Sequence, residues 1–447
     1  MGILLNALYI LFLIAVSPVI LWRMVRHGKY REGFAEKFRG LSPITPEGDA
    51  PVVWFHAVSV GEVNLLKPIL PLLRREHPSW RIVVSSTSMT GRRLAESLFP
   101  DLTVFYCPLD FTWSVRRALT RVRPDLLVLA ELELWPNLIR EAVRHGTKVA
   151  IINGRISDKS YREYRLIRFF LRPLLRRLAL IAPSDETAAD YFLRLGADPA
   201  RLSVTGSIKF DGAQTDRGNP KTLALAHLAG IRLQTTESGP ADIVFLAGST
   251  QEPEEAMALD AFRMWSEKFP SLKLILVPRH TDRFEAVAKL LDESEFTWTR
   301  RSTLQEGASP QPPKDAAPNA DPRRILLVDA IGELGAWWGT AAIAFVGGSW
   351  GNRGGQNMLE PAAYGAAVCF GPNTKNFREI SQRILAADAA RVVRNIDELS
   401  ACLGKALTDP VWRGELGKRA RQLVAAQRGA CRKTADLLVQ LVEQPRS

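Results

Sequence analysis

Short apolar runs rich in Val, Ile and Leu recur along this chain, separated by helix-length stretches whose apolar residues return every three or four positions. The runs predict buried strands and the intervening stretches predict amphipathic helices, an alternation expected of a doubly wound parallel sheet. In the first half the runs place strands at 52–56, 81–86, 103–106, 126–130, 148–152, 179–182 and 202–205. A segment at 212–239, mixed in Asp, Asn, Pro, Thr and Ser, then breaks the pattern as a linker carrying a short helix. A second series follows at 243–247, 273–277, 325–328, 342–346 and 367–370. The expected architecture is α/β: two tandem Rossmann-like doubly wound domains, 23–211 and 240–447, joined by that linker.

Two stretches depart from this rhythm. Ile3 to Trp22 carries no charged side chain, and these 20 residues would make a helix about 30 Å long, the thickness of a bilayer hydrocarbon core. Residues 1–22 are therefore expected to anchor the chain at a membrane. Arg23, Arg26 and Lys29 follow while no Lys or Arg precedes, so the positive-inside rule keeps the remainder in the cytoplasm. A secretory signal would show the reverse order of charge. Asn6, Ser17 and Pro18 soften the run, leaving a second reading in which the helix lies on the membrane or packs in the core. The other departure is 305–322, low in complexity with five Pro, expected as a surface loop.

Six arginines lie between Arg162 and Arg177. Arg165, Arg168, Arg172 and Arg176 share one helical face while Ile167, Leu171, Leu174 and Leu175 share another, with a kink expected at Pro173. Such a helix either lies on an anionic bilayer or presents a solvated basic face over an ordinary core contact. After Val411 the chain is again helical in period and rich in Arg, and its last helix is a candidate to pack back on the first domain.

With 447 residues, 46% hydrophobic and 24% charged, the chain is long enough for two substantial cores. A net charge of +12 favours anionic partners without choosing among them. Cys107, Cys369, Cys402 and Cys431 form no C-x-x-C pair, which argues against a zinc site or a disulfide framework and fits buried, inert thiols.

Chemistry concentrates first at His56 to Glu62. Gly61 and Glu62 directly follow the apolar run 52–55, where a strand turns into a helix and α/β enzymes present reactive groups. Ser59-x-x-Glu62 also fits a capping box, so Glu62 is either a general base or a helix cap. Past the strands of the second series stand Ala247 to Thr250, Pro278-Arg279-His280, Ile331-Gly332-Glu333, and Gly347-Gly348-Ser349 through Gly354-Gly355-Gln356-Asn357-Met358-Leu359-Glu360. Glycines there let main-chain N–H groups approach a phosphate, Arg279 adds a full charge, and Glu360 is placed to accept from ribose hydroxyls. Each alone reads as a tight-turn glycine or a surface side chain; their gathering at the carboxyl edge of one sheet is what points to a nucleotide. No G-x-G-x-x-G, P-loop, H-E-x-x-H, G-x-S-x-G or Asp-x-Asp appears at the places those chemistries need, so neither a metal nor a hydride carrier is expected.

Taken together, these residues resemble the 3-deoxy-D-manno-octulosonic acid (Kdo) transferases of lipopolysaccharide synthesis. The likeness rests on His56 to Glu62, Glu131-Leu132-Glu133-Leu134-Trp135-Pro136-Asn137, Thr205 to Asp211, Leu276 to His280, and 345–349 with 354–360, in order along nearly the whole chain. The resemblance implies a GT-B fold and an inverting, metal-independent glycosyltransferase that moves Kdo from CMP-Kdo to a hydroxyl of a lipid A precursor at the inner membrane. No cofactor and no nucleic-acid partner are implied. It carries Glu62 over as the base on the acceptor hydroxyl. It makes Pro278, Arg279, Ile331, Gly332, Glu333, Asn357, Met358, Leu359 and Glu360 the CMP-sugar contacts. Gln356 stands where many relatives are expected to have His, Met358 where they have Pro or Leu, and the 305–322 insertion is longer than expected. Glu131 and Glu133 either orient His56, Arg155 or the acceptor or form structural ion pairs; Lys209 and Arg155 are candidates to meet acceptor phosphate or the Kdo carboxylate. The rival readings are a sugar-nucleotide epimerase on the same fold and a membrane-tethered binding protein.

Overall fold

Six strands of the computed structural model lie side by side in the order β3-β2-β1-β4-β5-β6, every pair parallel. They are β1 (Val52–His56), β2 (Arg81–Ser86), β3 (Thr103–Tyr106), β4 (Leu126–Ala130), β5 (Lys148–Gly154) and β6 (Leu180–Pro183). The structure describes residues 2–27, 32–44, 48–234, 241–304 and 324–444. The 305–322 insertion and residues 235–239 of the linker segment lie outside them.

A second parallel sheet runs β13-β12-β11-β7-β8-β10-β9. Its strands are β7 (Ile243–Thr250), β8 (Leu272–Pro278), β9 (Trp298–Arg300), β10 (Ile325–Leu327), β11 (Ile343–Val346), β12 (Ala367–Phe370) and β13 (Ala390–Val392). The architecture is thus the α/β one expected, with two doubly wound sheets. Every position of β1, β4 and β8 is buried, which is why these strands read as apolar runs, broken only by His56 in β1 and Lys273 in β8.

Residues 202–205 do not form the seventh strand expected of the first series. Ser203 and Thr205 donate main-chain hydrogen bonds to Ile181 and Pro183, yet only Ile181 and Leu202 close a bridge. The chain then leaves the sheet edge at Gly206, whose φ of +92° turns it away. The basic stretch also differs: it is two helices, Asp158–Leu166 and Arg168–Leu175, and it breaks at Ile167 rather than at Pro173. Leu171, Leu174 and Leu175 are buried, whereas Ile167 is outside the core, as are Leu166, Phe169 and Phe170.

The chain divides into two compact units, Met1–Gly212 with Gln427–Ser447, and Ala213–Ala426. In the first unit, apolar clusters fill both faces of the sheet, and Val63, Leu66, Leu70 and Leu73 of the helix Val60–Glu76 belong to one of them. Ala430, Ala435, Leu438 and Leu441 of the last helix, Ala430–Glu443, complete that same cluster. Asp211 fixes where this helix starts by accepting from the main-chain N–H groups of Gly429 (2.6 Å) and Cys431 (2.5 Å). In the second unit the core gathers Phe245, Phe262, Leu276 and Phe345 with Leu399 and Leu403.

Candidate active site

In a doubly wound sheet, ligands sit beyond the carboxyl ends of the strands where the strand order reverses. In the first sheet that point lies between β1 and β4, and in the second between β7 and β11. Glu62 follows β1 and Glu131 and Glu133 follow β4 at the first point; 347–349 and 354–360 follow β11 at the second, while Arg279 follows β8 and 331–333 follow β10.

Beyond β1 the chain turns at Ser59 (φ −121°, ψ 165°) into the helix Val60–Glu76, which puts Glu62 in the first turn. Ser59 Oγ accepts from Glu62 N–H at 3.4 Å, as a cap should. The carboxylate itself reaches past Ser59. One oxygen accepts from Val58 N–H at 2.7 Å, and the other from Ser59 Oγ–H at 2.9 Å. Glu62 is 7% exposed, and burial pushes its pKa from 4.5 to about 7 against those two donors, with the charges of Glu133 and Glu131 adding to the rise. A helix N-terminus should hold a carboxylate low, but here desolvation wins. The group can therefore take a proton near neutral pH.

Glu131 follows β4 directly and adopts a left-handed backbone (φ +56°), unusual outside glycine. Its carboxylate accepts from Lys209 Nζ at 2.7 Å and lies 3.8 Å from Arg155 Nη1. Glu133 accepts from Trp135 Nε1 at 2.8 Å, and burial raises its pKa. Beside them His56 is fully buried, with Nδ1 2.9 Å from Ser85 Oγ and its edge toward Trp135. Burial lowers the His56 pKa to about 4, which leaves the ring neutral at pH 7. Glu62 thus stands in an acidic neighbourhood, where burial raises its pKa first and the charges of Glu133 and Glu131 add to the rise.

The second unit builds its edge differently. Glu254, in the first turn of the helix Glu254–Ser266, is 1% exposed. It accepts four main-chain N–H groups, those of Gln251 (2.9 Å), Gly348 (2.7 Å), Ser349 (2.9 Å) and Trp350 (3.1 Å). Burial raises its pKa while these four donors oppose the rise. The loop beyond β11 is thereby tied to the helix beyond β7. Gly347 is obligatory there, since a Cβ would stand 2.7 Å from Glu254 Oε2, Ser249 O and Thr250 Cα. Glu254 was not singled out in the sequence, although Gln251-x-x-Glu254 after β7 repeats the spacing of Ser59-x-x-Glu62 after β1.

The sequence-expected nucleotide contacts all fall in this unit. Pro278 ends β8 and is buried; Arg279 follows it, exposed, with its N–H on Thr250 O at 3.0 Å. Ile331 is 80% exposed and Gly332 has φ +88°, a projecting turn. Glu333 forms a two-pronged ion pair with Arg301 (2.8 and 2.9 Å) and accepts from Trp337 Nε1 at 3.1 Å. Asn357 Nδ2 donates to Glu360 Oε1 at 3.1 Å, and Leu359 N–H donates to Asn357 Oδ1 at 3.2 Å. A Cβ on Gly335 would stand 3.9 Å from Glu360 Oε2, so the turn at 331–335 and that at 357–360 meet. Met358 and Leu359 are 1% exposed, and their side chains belong to the interior. Arg301 carried no motif in the sequence; only folding brings it to Glu333.

Comparison with known proteins adds a family. Residues 30–212 match the family described as 3-deoxy-D-manno-octulosonic-acid transferase (kdotransferase). The 3-deoxy-D-manno-octulosonic acid transferase of Haemophilus influenzae is 31% identical over 445 residues, covering 98% of each chain. The enzyme of the same description from Bordetella pertussis is 32% identical over 450 residues, covering 97% of this chain and 98% of its own. Among solved structures, UDP-GlcNAc 2-epimerase from Neisseria meningitidis bound to UDP-GlcNAc superposes with a TM-score of 0.56 at 11% identity, over 88% of this chain and all of that one. That likeness is one of GT-B-type fold.

Proposed function

Because the chain belongs to the 3-deoxy-D-manno-octulosonic acid transferase family, a family of glycosyltransferases, we propose that it moves Kdo from CMP-Kdo to a hydroxyl of a lipid A precursor with inversion and without a metal. The first unit takes the acceptor and the second the nucleotide. The observation that carries this reading is Glu62, a carboxylate at the topological switch point, mostly buried, short of hydrogen-bond donors and poised near pH 7.

In the proposed step Glu62 removes the proton of the acceptor hydroxyl as that oxygen bonds to the anomeric carbon. The bond from that carbon to the phosphate oxygen breaks on the opposite face, and CMP leaves with the electron pair. An anionic leaving group needs positive charge and no proton, a role assigned to Arg279 and to main-chain N–H groups at the glycine-rich turns. Glu360, oriented by Asn357, is assigned to the ribose hydroxyls, and the turn Ile331-Gly332-Glu333, braced by Arg301, closes over the nucleotide. Pro278, Met358 and Leu359 are assigned to the same site as the buried supports of Arg279, Asn357 and Glu360. The helix Gly2–His27 holds the enzyme at the inner membrane with both units on the cytoplasmic side; its residues 2–19 have a mean hydropathy of 2.2.

The test is acceptor-dependent release of CMP from CMP-Kdo by the detergent-solubilised chain. Release by the parent and its loss in Glu62→Gln, with CMP binding retained, supports the assignment. Full activity in Glu62→Gln with a lowered melting temperature makes Glu62 a helix cap and removes it from the mechanism.

A further inference from the structure

The helix Gly2–His27 is long and apolar enough to cross a bilayer, and among the described residues it is the one helix that is. Its surroundings argue for a different placement. Asn6 is 9% exposed and donates to Thr112 Oγ1 at 2.7 Å. Its Oδ1 accepts from Thr112 N–H at 3.2 Å and from Asn137 Nδ2 at 3.4 Å. One turn on, Tyr9 O–H donates to Asp110 Oδ2 at 3.0 Å, and its ring meets Phe111 edge-on at 6.0 Å. Asp110 in turn accepts from the N–H groups of Asn137 (3.0 Å) and Leu138 (2.8 Å), which start the helix Pro136–Arg144. The beginning of the apolar helix is therefore stitched to the folded first unit.

Burial along the helix keeps the same face. Gly2, Leu5, Asn6, Tyr9, Leu13, Val16 and Ser17 are buried or half-buried, a stripe at three- and four-residue spacing. Ile3, Leu4, Leu8, Leu11, Phe12 and Ile14 are exposed on the remaining surface. A helix crossing the bilayer into a domain that begins after Arg23 would hold Asn6 about 24 Å from Trp22, toward the far leaflet. The Asn6 amide would then lose its partners inside hydrocarbon, where an unpaired polar group is costly.

We propose that this helix does not span the membrane: it lies along the surface of one leaflet, its Gly2/Asn6/Tyr9 stripe docked on the folded unit, its opposite apolar face in lipid, and both of its ends in the cytoplasm. The inference rests on the membrane-anchor reading above and replaces a crossing with a monotopic attachment. The lipid surface is chosen as occupant because the exposed face is apolar for some 18 residues and ends at the cationic Arg23 and Arg26.

The test uses the full chain with an epitope tag before Met1, in intact spheroplasts and in inverted inner-membrane vesicles. Tag digestion by added protease in the inverted vesicles alone supports the proposal; digestion in intact spheroplasts overturns it. In the same membranes, Asn6→Cys combined with Thr112→Cys should give an oxidant-dependent intramolecular crosslink. Its absence, or a dimer-sized crosslinked product in chain that does not float with the vesicles, overturns the docked geometry, the latter in favour of a second copy as occupant. Acceptor-dependent CMP release, assayed on the same samples, reports separately on the catalytic reading.

Discussion

Glu62 and Glu254 occupy equivalent places in two parallel sheets, the first turn of the helix that follows the strand at which the strand order reverses. Both are nearly inaccessible to water. Their partners separate them: Glu254 accepts four main-chain N–H groups and is satisfied, while Glu62 accepts one main-chain N–H and one hydroxyl, with two further carboxylates within electrostatic reach. A buried carboxylate with a full set of donors is a structural tie. One with too few is a group whose proton is worth exchanging. The fold supplies the position twice, and the number of donors is what distinguishes the copy proposed as the base from the structural one.

Neutralising each carboxylate should split the two roles most sharply. Glu62→Gln is expected to lower kcat by about 10²- to 10⁴-fold while the variant still folds and unfolds cooperatively, as read by acceptor-dependent CMP release beside calorimetry. Glu254→Ala should leave up to four main-chain donors without an acceptor and destabilise the chain by on the order of 3 kcal/mol, seen as a lower Tm and weakened CMP binding. If Glu254→Ala were as stable as the parent, the contrast between the two sites would fail.

Titration sharpens the comparison at the next level. With Glu62 at about 7 in the folded chain, log kcat/KM should climb with unit slope below pH 7 and level above it. Because the folded pKa lies above the ordinary 4.5, the protonated form is the one folding favours. That contribution to stability is full below about pH 4.5 and disappears as pH rises through 7. Glu62→Gln lacks it, so the Tm of the variant minus that of the parent should increase from pH 5 to pH 8. Ser59→Ala is a smaller perturbation. It removes a cap worth about 1 kcal/mol and a donor to the carboxylate, so the inflection in the rate profile should move upward. The smallest expected effect is none: chelator treatment should leave CMP release unchanged.

The strands that were legible in the sequence are those buried on both faces, because such strands advertise themselves as apolar runs. β9 and β13 escaped notice since each is three residues long at a sheet edge, with half-buried positions that carry no clear period. Residues 202–205 misled for the opposite reason, being apolar enough for a strand but turned out of the sheet at Gly206. At the sites, Glu62 was legible because strand, turn and carboxylate are contiguous. Glu254 was not, since three of its four partners return from about 95 residues later, and the pairs Arg301–Glu333 and Lys209–Glu131 depend likewise on tertiary return. The kink expected at Pro173 was displaced to Ile167, where the first of two short helices ends.

The last helix, Ala430–Glu443, contributes to the apolar interior of the unit that the chain begins with. During synthesis the ribosome therefore delivers the opening half of the protein long before the piece that closes it. Val63, Leu66 and their neighbours therefore lack part of their cluster until the second unit, Ala213–Ala426, has been made. A nascent chain that has not yet reached Ala430 leaves the apolar cluster around Val63 and Leu66 without the side chains of this helix, a surface open to chaperones and proteases.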